Sequence, residues 1–464
     1  MLNISKAIFY LATLTLLASC KKFTEVDPPK YAISTEQVFS DDQNANAAVL
    51  GIYSLMSQMG FGQGRITLET GLSSDELIRL DPGIDDRNIM ENNIRPQNGL
   101  VLDLWTGGFR IIGQANACIE GLENSNAVSA SKKAQLIAEC RFLRAYCYFY
   151  LTNIFGRLPI VTTTNWTQTT SLSRAQDSEI RDFILSDLMD AYQQLPIKNL
   201  SGTKARATKW AATALLARFH LYNRNWNDAL RYANLVIDQS TLFTGELPAL
   251  STVFLTGSEE AIWQMPPAVT WVNPFEGTAY NNFGQLLYVL SEAFKDSIDQ
   301  QDKRIQQWVD IVDDGKGNLY AVPSKYKANT YTGTNTEQYV MIRMAEVVLI
   351  RAEALAQNNQ AQMSVESINI IRRRAALSEL PNDLTKAELL VAVEQERRIE
   401  LFAEWGHRWF DLKRFAARIG SGNRADEILS IQKAGSWQST DALYPVPQKE
   451  ISLNPSLAPN NPGY

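Results

Sequence analysis

Between Glu396 and Arg414 the chain reads Glu-Arg-Arg-Ile-Glu-Leu-Phe-Ala-Glu-Trp-Gly-His-Arg-Trp-Phe-Asp-Leu-Lys-Arg. That run holds too much charge for its number of large apolar side chains to suit an ordinary surface helix. Ile399, Phe402, Trp409 and Phe410 recur near helical spacing and require a core. Arg397, Glu400, Glu404, Arg408 and Asp411 fall three or four apart, so opposite charges can meet along one side of a helix. Two arrangements meet both demands. If Trp405 and Trp409 carry their neighbours inward, the charges must be paired, because an unpaired buried charge is very costly. The stretch is then a charged lattice that holds helices in register. Otherwise it is a solvated polar face with a tryptophan-rich back.

The chain opens on a segment that is not part of the fold. Lys6 gives a short positive start, Ile8 to Leu17 is apolar, and Leu17-Ala18-Ser19-Cys20 follows. The run is too short to span a bilayer as a helix and has the layout of an export signal. Small residues before a cysteine form a lipobox, which predicts that Cys20 is lipidated and becomes the mature N-terminus. The alternative is an ordinary signal peptide with an incidental cysteine. Lipid chains on Cys20 would anchor the protein to a membrane. Lys21, Lys22, Glu25 and Asp27 mix both signs, and Val26 to Pro29 reads as an extended tether.

The remainder has the composition of a large globular protein, and no later stretch is long and apolar enough for a membrane helix. A net charge of −6 argues against a nucleic-acid partner, which needs a clustered basic surface. Only two histidines are present, and no cysteine–histidine spacing suggests a metal site. Cys140 and Cys147 fall roughly 10 Å apart on one predicted helix, beyond the roughly 7 Å a disulfide tolerates. Either could pair with Cys118, but buried thiols are expected. His407 reads as a structural hydrogen-bonding residue.

Helical patterns dominate up to about residue 239. Ser40 or Asp41 caps a helix to Met59 with an Ala45, Val49, Ile52, Leu55 stripe. Gly60-Phe61-Gly62-Gln63-Gly64 lacks the spacing of a phosphate cradle. Gly71 to Gly99 reads as loop-rich, with Ser73-Ser74-Asp75-Glu76 and Asp81-Pro82-Gly83 as turn formers. Asp85, Asp86, Glu91, Asn92 and Asn93 add a polar cluster able to meet a sugar or a calcium ion, or simply to face water. Trp105 is expected to open the next helix, and Gly156 to stop the one after it. Trp166, among threonines, reads as exposed. Ile180–Leu195, Thr208–Tyr222 and a helix from Trp226 follow. Their small residues at regular steps suit closely packed helix pairs of the tetratricopeptide kind, although no clean 34-residue period aligns.

From about Ser240 glycine, proline, asparagine and aromatics replace alanine and leucine. No helix of normal length fits Thr256 to Gly284. Irregular segments over a helical scaffold carry binding more often than the scaffold does. Trp271, Phe275, Tyr280, Asn281, Asn282 and Tyr288 supply aromatic faces beside amides. A sugar site uses that combination, with the ring covering C–H faces and the amides bonding hydroxyls. Trp271 and Tyr280 are the leading candidates, and Asn92 and Asn93 are added from the earlier polar cluster. The other reading is that the rings form the insertion's own core.

Several separated blocks then share one resemblance. They are Trp105-x3-Phe109-Arg110-Ile111-Ile112, Glu139-Cys140-Arg141-Phe142-Leu143-Arg144-Ala145-Tyr146, Arg343-Met344-Ala345-Glu346, the Glu396–Arg414 run, and Leu443-Tyr444-Pro445-Val446-Pro447. Their order along the chain resembles the SusD/RagB family of outer-membrane nutrient-binding lipoproteins. The resemblance implies a mostly α fold, a TPR-like helix-pair scaffold with an irregular, loop-rich capping insertion. It implies no catalytic activity, no cofactor, and a SusC-type TonB-dependent transporter as partner, with a glycan as ligand at the cell surface. No family binding residue transfers by motif. The expected layout is a signal peptide over 1–19, a lipidated tether over 20–40 and a helical scaffold over 41–239. The ligand-binding insertion follows over 240–335, and a C-terminal helical part with an extended tail over 336–464. Two other classes remain: a TPR-like scaffold gripping peptide or protein, and a surface glycoside hydrolase using two carboxylates among Asp75, Glu76, Asp85 and Asp86.

Overall fold

The computed structural model describes residues 34–58, 60–62, 64–198, 202–239, 241–267, 273–282, 285–328 and 335–464. The Cys20 lipobox and Trp271 lie outside these residues. The fold is mostly α. Helix α1 spans Asp42–Gln58 and opens after Asp41, whose carboxylate accepts the Asn44 N–H at 2.8 Å. Then come α2 (Arg65–Ser73), α3 (Gly99–Asn124), α4 (Ala130–Phe155), α5 (Asp177–Gln194), α6 (Lys209–Tyr222) and α7 (Trp226–Asn234). Helix α8 (Phe275–Tyr280) sits in the irregular region. Helices α9 (Met344–Gln357), α10 (Ala361–Arg374), α11 (Lys386–Glu400) and α12 (His407–Arg414) follow it.

The helices stack in chain order. α3 packs on α4, α4 on α5, α5 on α6 and α6 on α7; α7 then meets α9, which pairs with α10 and α11. Helix α4 lies at the centre, because Tyr146 through Leu151 are six consecutive buried residues. A helix apolar on every side can only be interior. Gly156, at φ 73°, ends it as expected. Helix α3 begins six residues before Trp105. The Asn98 side chain caps it by accepting the Leu100 and Val101 N–H groups. Cys118, Cys140 and Cys147 are free and buried.

Among the described residues, four two-stranded antiparallel ladders decorate this stack: β1 (Leu77–Arg79) with β5 (Tyr288–Leu290), β2 (Ala261–Met265) with β8 (Tyr339–Arg343), β3 (Asn281–Asn282) with β4 (Gln285–Leu286), and β6 (Val309–Asp313) with β7 (Leu319–Pro323). Two of these ladders tie the 240–335 region to the parts before and after it. The cap is therefore stitched into the scaffold.

Three stretches differ from the sequence expectation. The loop-rich Gly71–Gly99 stretch also holds regular structure: α2 runs into it to Ser73, and β1 and a short helix, Ile84–Met90, follow. Ser74 and Asp75 form a turn after α2 as expected, but Ser73, Ser74, Asp75 and Glu76 are all buried. The Glu396–Arg414 run is two helices, not one. Ala403, Trp405 and Gly406 adopt φ of 50°, 47° and 74°, which no right-handed helix continues through. The tail contains a short helix, Gln448–Leu453, and is not extended throughout.

Candidate functional site

The cap rests on a buried network of ion pairs. Arg343, at the end of β8, donates to Glu260 at 2.7 Å, to Glu400 at 2.5 Å, and to both oxygens of Glu404 at 2.8 Å. Lys325 donates to Glu404 at 2.5 Å and to the Glu400 carbonyl at 2.8 Å, with its ammonium 4.1 Å from the Phe402 ring centre. Arg304 meets Asp302, Glu396 and Glu400, and Arg374 joins Glu260 to Glu400. Burial alone would raise the Glu400 carboxyl, but Arg374, Arg343 and Arg304 outweigh it and hold it well below its ordinary range. Burial lowers the Lys325 ammonium to about 8 against the pull of Glu404.

Of the two arrangements open to the Glu396–Arg414 run, the structure has the lattice. Its partners, however, are not one helix side. Arg397 crosses the break to Asp411, while Glu400 and Glu404 face residues of β8, α10 and the cap. Trp405 and Trp409 are buried, the former donating its indole N–H to the Val340 carbonyl at 2.7 Å. His407 is buried with Nδ1 3.4 Å from the Tyr222 hydroxyl.

The predicted ligand residues are not gathered into one place. Tyr280 and Tyr288 are each only 3% exposed, so their ring faces are closed to a sugar and belong to the core. Tyr288 accepts from Arg79, which also binds Asp86. Asn92, also buried, spends its amide N–H on the Ser73 carbonyl at 3.0 Å. These three expectations are corrected by burial. Phe275 differs: at 38% exposure it opens α8 on the outer surface, its N–H donating to the Tyr339 hydroxyl at 2.6 Å. The β3–β4 ladder, with Asn281 and Asn282 in β3, follows α8 directly, and Gln285 of β4 is exposed. Asn93 is exposed but lies at a separate cleft of about 370 Å³ beside Gly435, Asp441 and Tyr464.

Below Phe275 the next side chain turns inward. Glu276 is buried, with one carboxylate oxygen unpartnered, and burial pushes it up to about 8. Gly64, at φ 81°, makes room for it: a Cβ there would sit 2.5 Å from the Glu276 carboxyl carbon. Glu76 is likewise pushed up by burial to about 7, although it accepts the Ala403 N–H. None of the four carboxylates considered for hydrolysis stands free in a cleft. Asp75 is held by Arg398 and Arg408, Asp86 by Arg79, and Asp85 accepts the Gly99 N–H.

Among the clefts that the sequence did not point to is one of about 870 Å³, between the Thr35–Val38 turn and α3, lined by Gln114, Glu120, Asn124 and Thr164. Trp166, two residues beyond Thr164, is 72% exposed. It sits on a single helical turn capped by Asn165, and Thr163 and Thr164 bond Glu120.

Two family profiles match the chain: "SusD family" over residues 290–464, and "Starch-binding associating with outer membrane" over residues 82–221. The chain belongs to the SusD family. SusD-like protein P2 of Formosa agariphila is 27% identical over 512 residues, covering 98% of this chain and 99% of that one. A SusD superfamily protein from Bacteroides vulgatus superposes with a TM-score of 0.79 at 21% identity, covering 92% of this chain and 100% of that one. Surface glycan-binding protein A from Bacteroides uniformis gives 0.75 at 20% identity, over 90% and 99% of the two chains. At such identities the structural likeness speaks to the fold. In this SusD-family chain, the Trp105, Glu139, Arg343 and Glu396 blocks all fall inside the two matched regions. Residues 222–289 fall between them, and they carry Trp271, Phe275, Tyr280, Asn281, Asn282 and Tyr288.

Proposed function

We propose that this chain is a cell-surface lipoprotein, anchored through Cys20, that binds an oligosaccharide on its cap. It delivers that ligand to a TonB-dependent outer-membrane transporter of the SusC type and does not alter it chemically. The observation that carries the reading is the end-to-end match to SusD-like proteins, 98% of this chain against 99% of the relative, with an outward aromatic at Phe275 in the stretch between the two matched regions. The Phe275 ring would cover the apolar face of a sugar, and the polar groups of the β3–β4 hairpin would bond its hydroxyls. The Tyr339 hydroxyl accepts the Phe275 N–H and fixes the start of that platform.

A glycan array probed with the chain beginning after Cys20 tests this reading. Binding to at least one neutral oligosaccharide, weakened about tenfold or more by Phe275→Ala, supports it. Binding to no glycan rejects it. Release of new reducing ends from a bound glycan would reject the non-catalytic part and return the hydrolase reading.

A further inference from the structure

Where α4 and α6 end, beside α5, the surface folds into a groove of two adjoining clefts, about 600 and 510 Å³, sharing Arg181, Phe219, Tyr222 and Asn223. Arg157, Arg174, Arg181 and Arg224 line it, against two carboxylates, Asp177 and Asp182. The groove thus carries a positive excess on a chain whose net charge is −6. Interior arginines elsewhere meet carboxylates closely, as Arg144 does Asp187 at 2.8 Å and Arg218 does Glu346 at 2.6 Å. The groove arginines do not. Arg174 is half-buried and donates only to neutral acceptors, the Asn461 amide oxygen at 2.7 Å and the Pro459 carbonyl. Arg224 donates to the Arg414 carbonyl at 2.8 Å. Arg181 has no ion-pair partner among the described residues, and Arg157 reaches Asp177 only at 3.8 Å.

A half-buried guanidinium without a counter-charge is costly, and an incoming anion relieves that cost. Burial, and then the neighbouring charge of Arg157, lower the affinity of Arg174 for its proton. The planar fork of a guanidinium matches a carboxylate or sulfate bidentately. Tyr222, partly buried, adds some aromatic surface between the charges, whereas Phe219 belongs to the core. We infer that this groove is a second binding site, distinct from the cap, for an anionic saccharide bearing carboxylate or sulfate groups. The inference rests on the glycan-binding reading for its saccharide part and on the unpaired arginines for its charge.

The test uses the chain beginning after Cys20 and matched probes: oligogalacturonate against neutral galacto-oligosaccharide, and dextran sulfate against dextran. Calorimetry at low salt is expected to show at least tenfold tighter binding of one anionic probe than of its neutral partner. The uronate and sulfate arms identify which group is read. Arg174→Gln with Arg181→Gln removes that preference. Lys132→Gln with Lys316→Gln, the same charge change placed elsewhere, keeps it. Equal affinity for charged and neutral probes, or an anionic preference that survives the arginine changes, overturns the groove while leaving neutral-glycan binding at the cap intact. Inorganic sulfate binding as tightly as the anionic saccharides overturns the saccharide part. Binding of no saccharide rejects the broader glycan reading as well.

Discussion

Arg408 holds the Asp75 carboxylate with two parallel bonds, Nε to Oδ1 at 2.6 Å and Nη2 to Oδ2 at 2.9 Å, across 333 positions of sequence. Arg398 adds a bond to Oδ2 at 2.9 Å. Asp75→Asn would leave the enclosed Arg398 guanidinium without its carboxylate and Arg408 with only the 3.4 Å contact to Glu394, a change of about 3–5 kcal/mol for breaking a buried pair. Urea unfolding at pH 7 measures it. A loss under about 1 kcal/mol would mean that the clasp adds little to stability.

Carboxyls on either side of the cap predict opposite responses to pH. Glu276 and Glu76 titrate in the folded chain at about 8 and 7, above the ordinary 4.5. Between the ordinary value and those values the folded state keeps protons that the unfolded chain has released. Stability therefore falls as pH rises through that window, by on the order of 1.4 kcal/mol per pH unit per group, and levels off above it. Asp75 and Glu400 are held low by arginines despite burial, so their contribution is present above the ordinary carboxylate range and is lost on acidification. Urea midpoints at pH 5.5 and 8.5 check this. Lys325, Lys413 and Lys433, lowered by burial to about 8, 7 and 7, push the other way over the same window, so the outcome is read against wild type: Glu276→Gln is expected to shift the gap between the two midpoints toward greater stability at 8.5. An unchanged gap would clear Glu276 of any part in it.

Gly406 turns the chain between α11 and α12. Alanine there would carry φ 74° and place Cβ 2.5 Å from Thr70 Oγ1. A left-handed alanine costs about 1–2 kcal/mol before any clash. Gly406→Ala should therefore lower Tm, and adding Thr70→Ala should recover only the steric share. Full recovery in the double variant would locate the whole cost in the clash.

That turn also shows what the sequence concealed. The alanine-rich helix pairs were legible because small residues at helical spacing have one obvious use. The break after Glu400 was not. Only Gly406 signals it, while Ala403 and Trp405 take positive φ under tertiary constraint. The turn at Ser73 to Glu76 was legible, but its burial was not, because polarity is local information and the partners of the Asp75 and Glu76 side chains come from beyond residue 397. Tyr280 beside two asparagines looked like a platform, yet burial makes it core. Trp166 was readable because no apolar pattern surrounds it.

Phe275 and Tyr280 lie five residues apart and should behave oppositely. Tyr280→Ala empties a buried site, typically about 3–5 kcal/mol for a large aromatic, and should lower Tm by several degrees. Phe275→Ala, at the surface, should leave Tm within about 2 °C and weaken oligosaccharide binding. Differential scanning calorimetry paired with binding titrations distinguishes them. A Phe275 variant that melts early would move that ring from platform to packing.

Cys20→Ser bears on the anchor. Metabolic labelling with a fatty acid should mark the wild-type chain and not the variant, and fractionation should shift the variant from membrane to soluble fractions. Label persisting in the variant would remove Cys20 as the attachment point.

The last part of the chain closes the first. Tyr444 bonds Ser73 at 2.6 Å and the Glu69 carbonyl at 3.0 Å, and Lys433 donates to the Leu72 carbonyl. A ribosome delivering this polypeptide releases helix α2 long before Arg398 and Arg408 exist to neutralise Asp75 just after it. The amino-terminal half would then have no finished interior until nearly the final codon. Late closure of that sort would keep a nascent chain threadable through a narrow pore, and a premature stop codon near the 3′ end should yield material that proteases clear instead of a shortened binder.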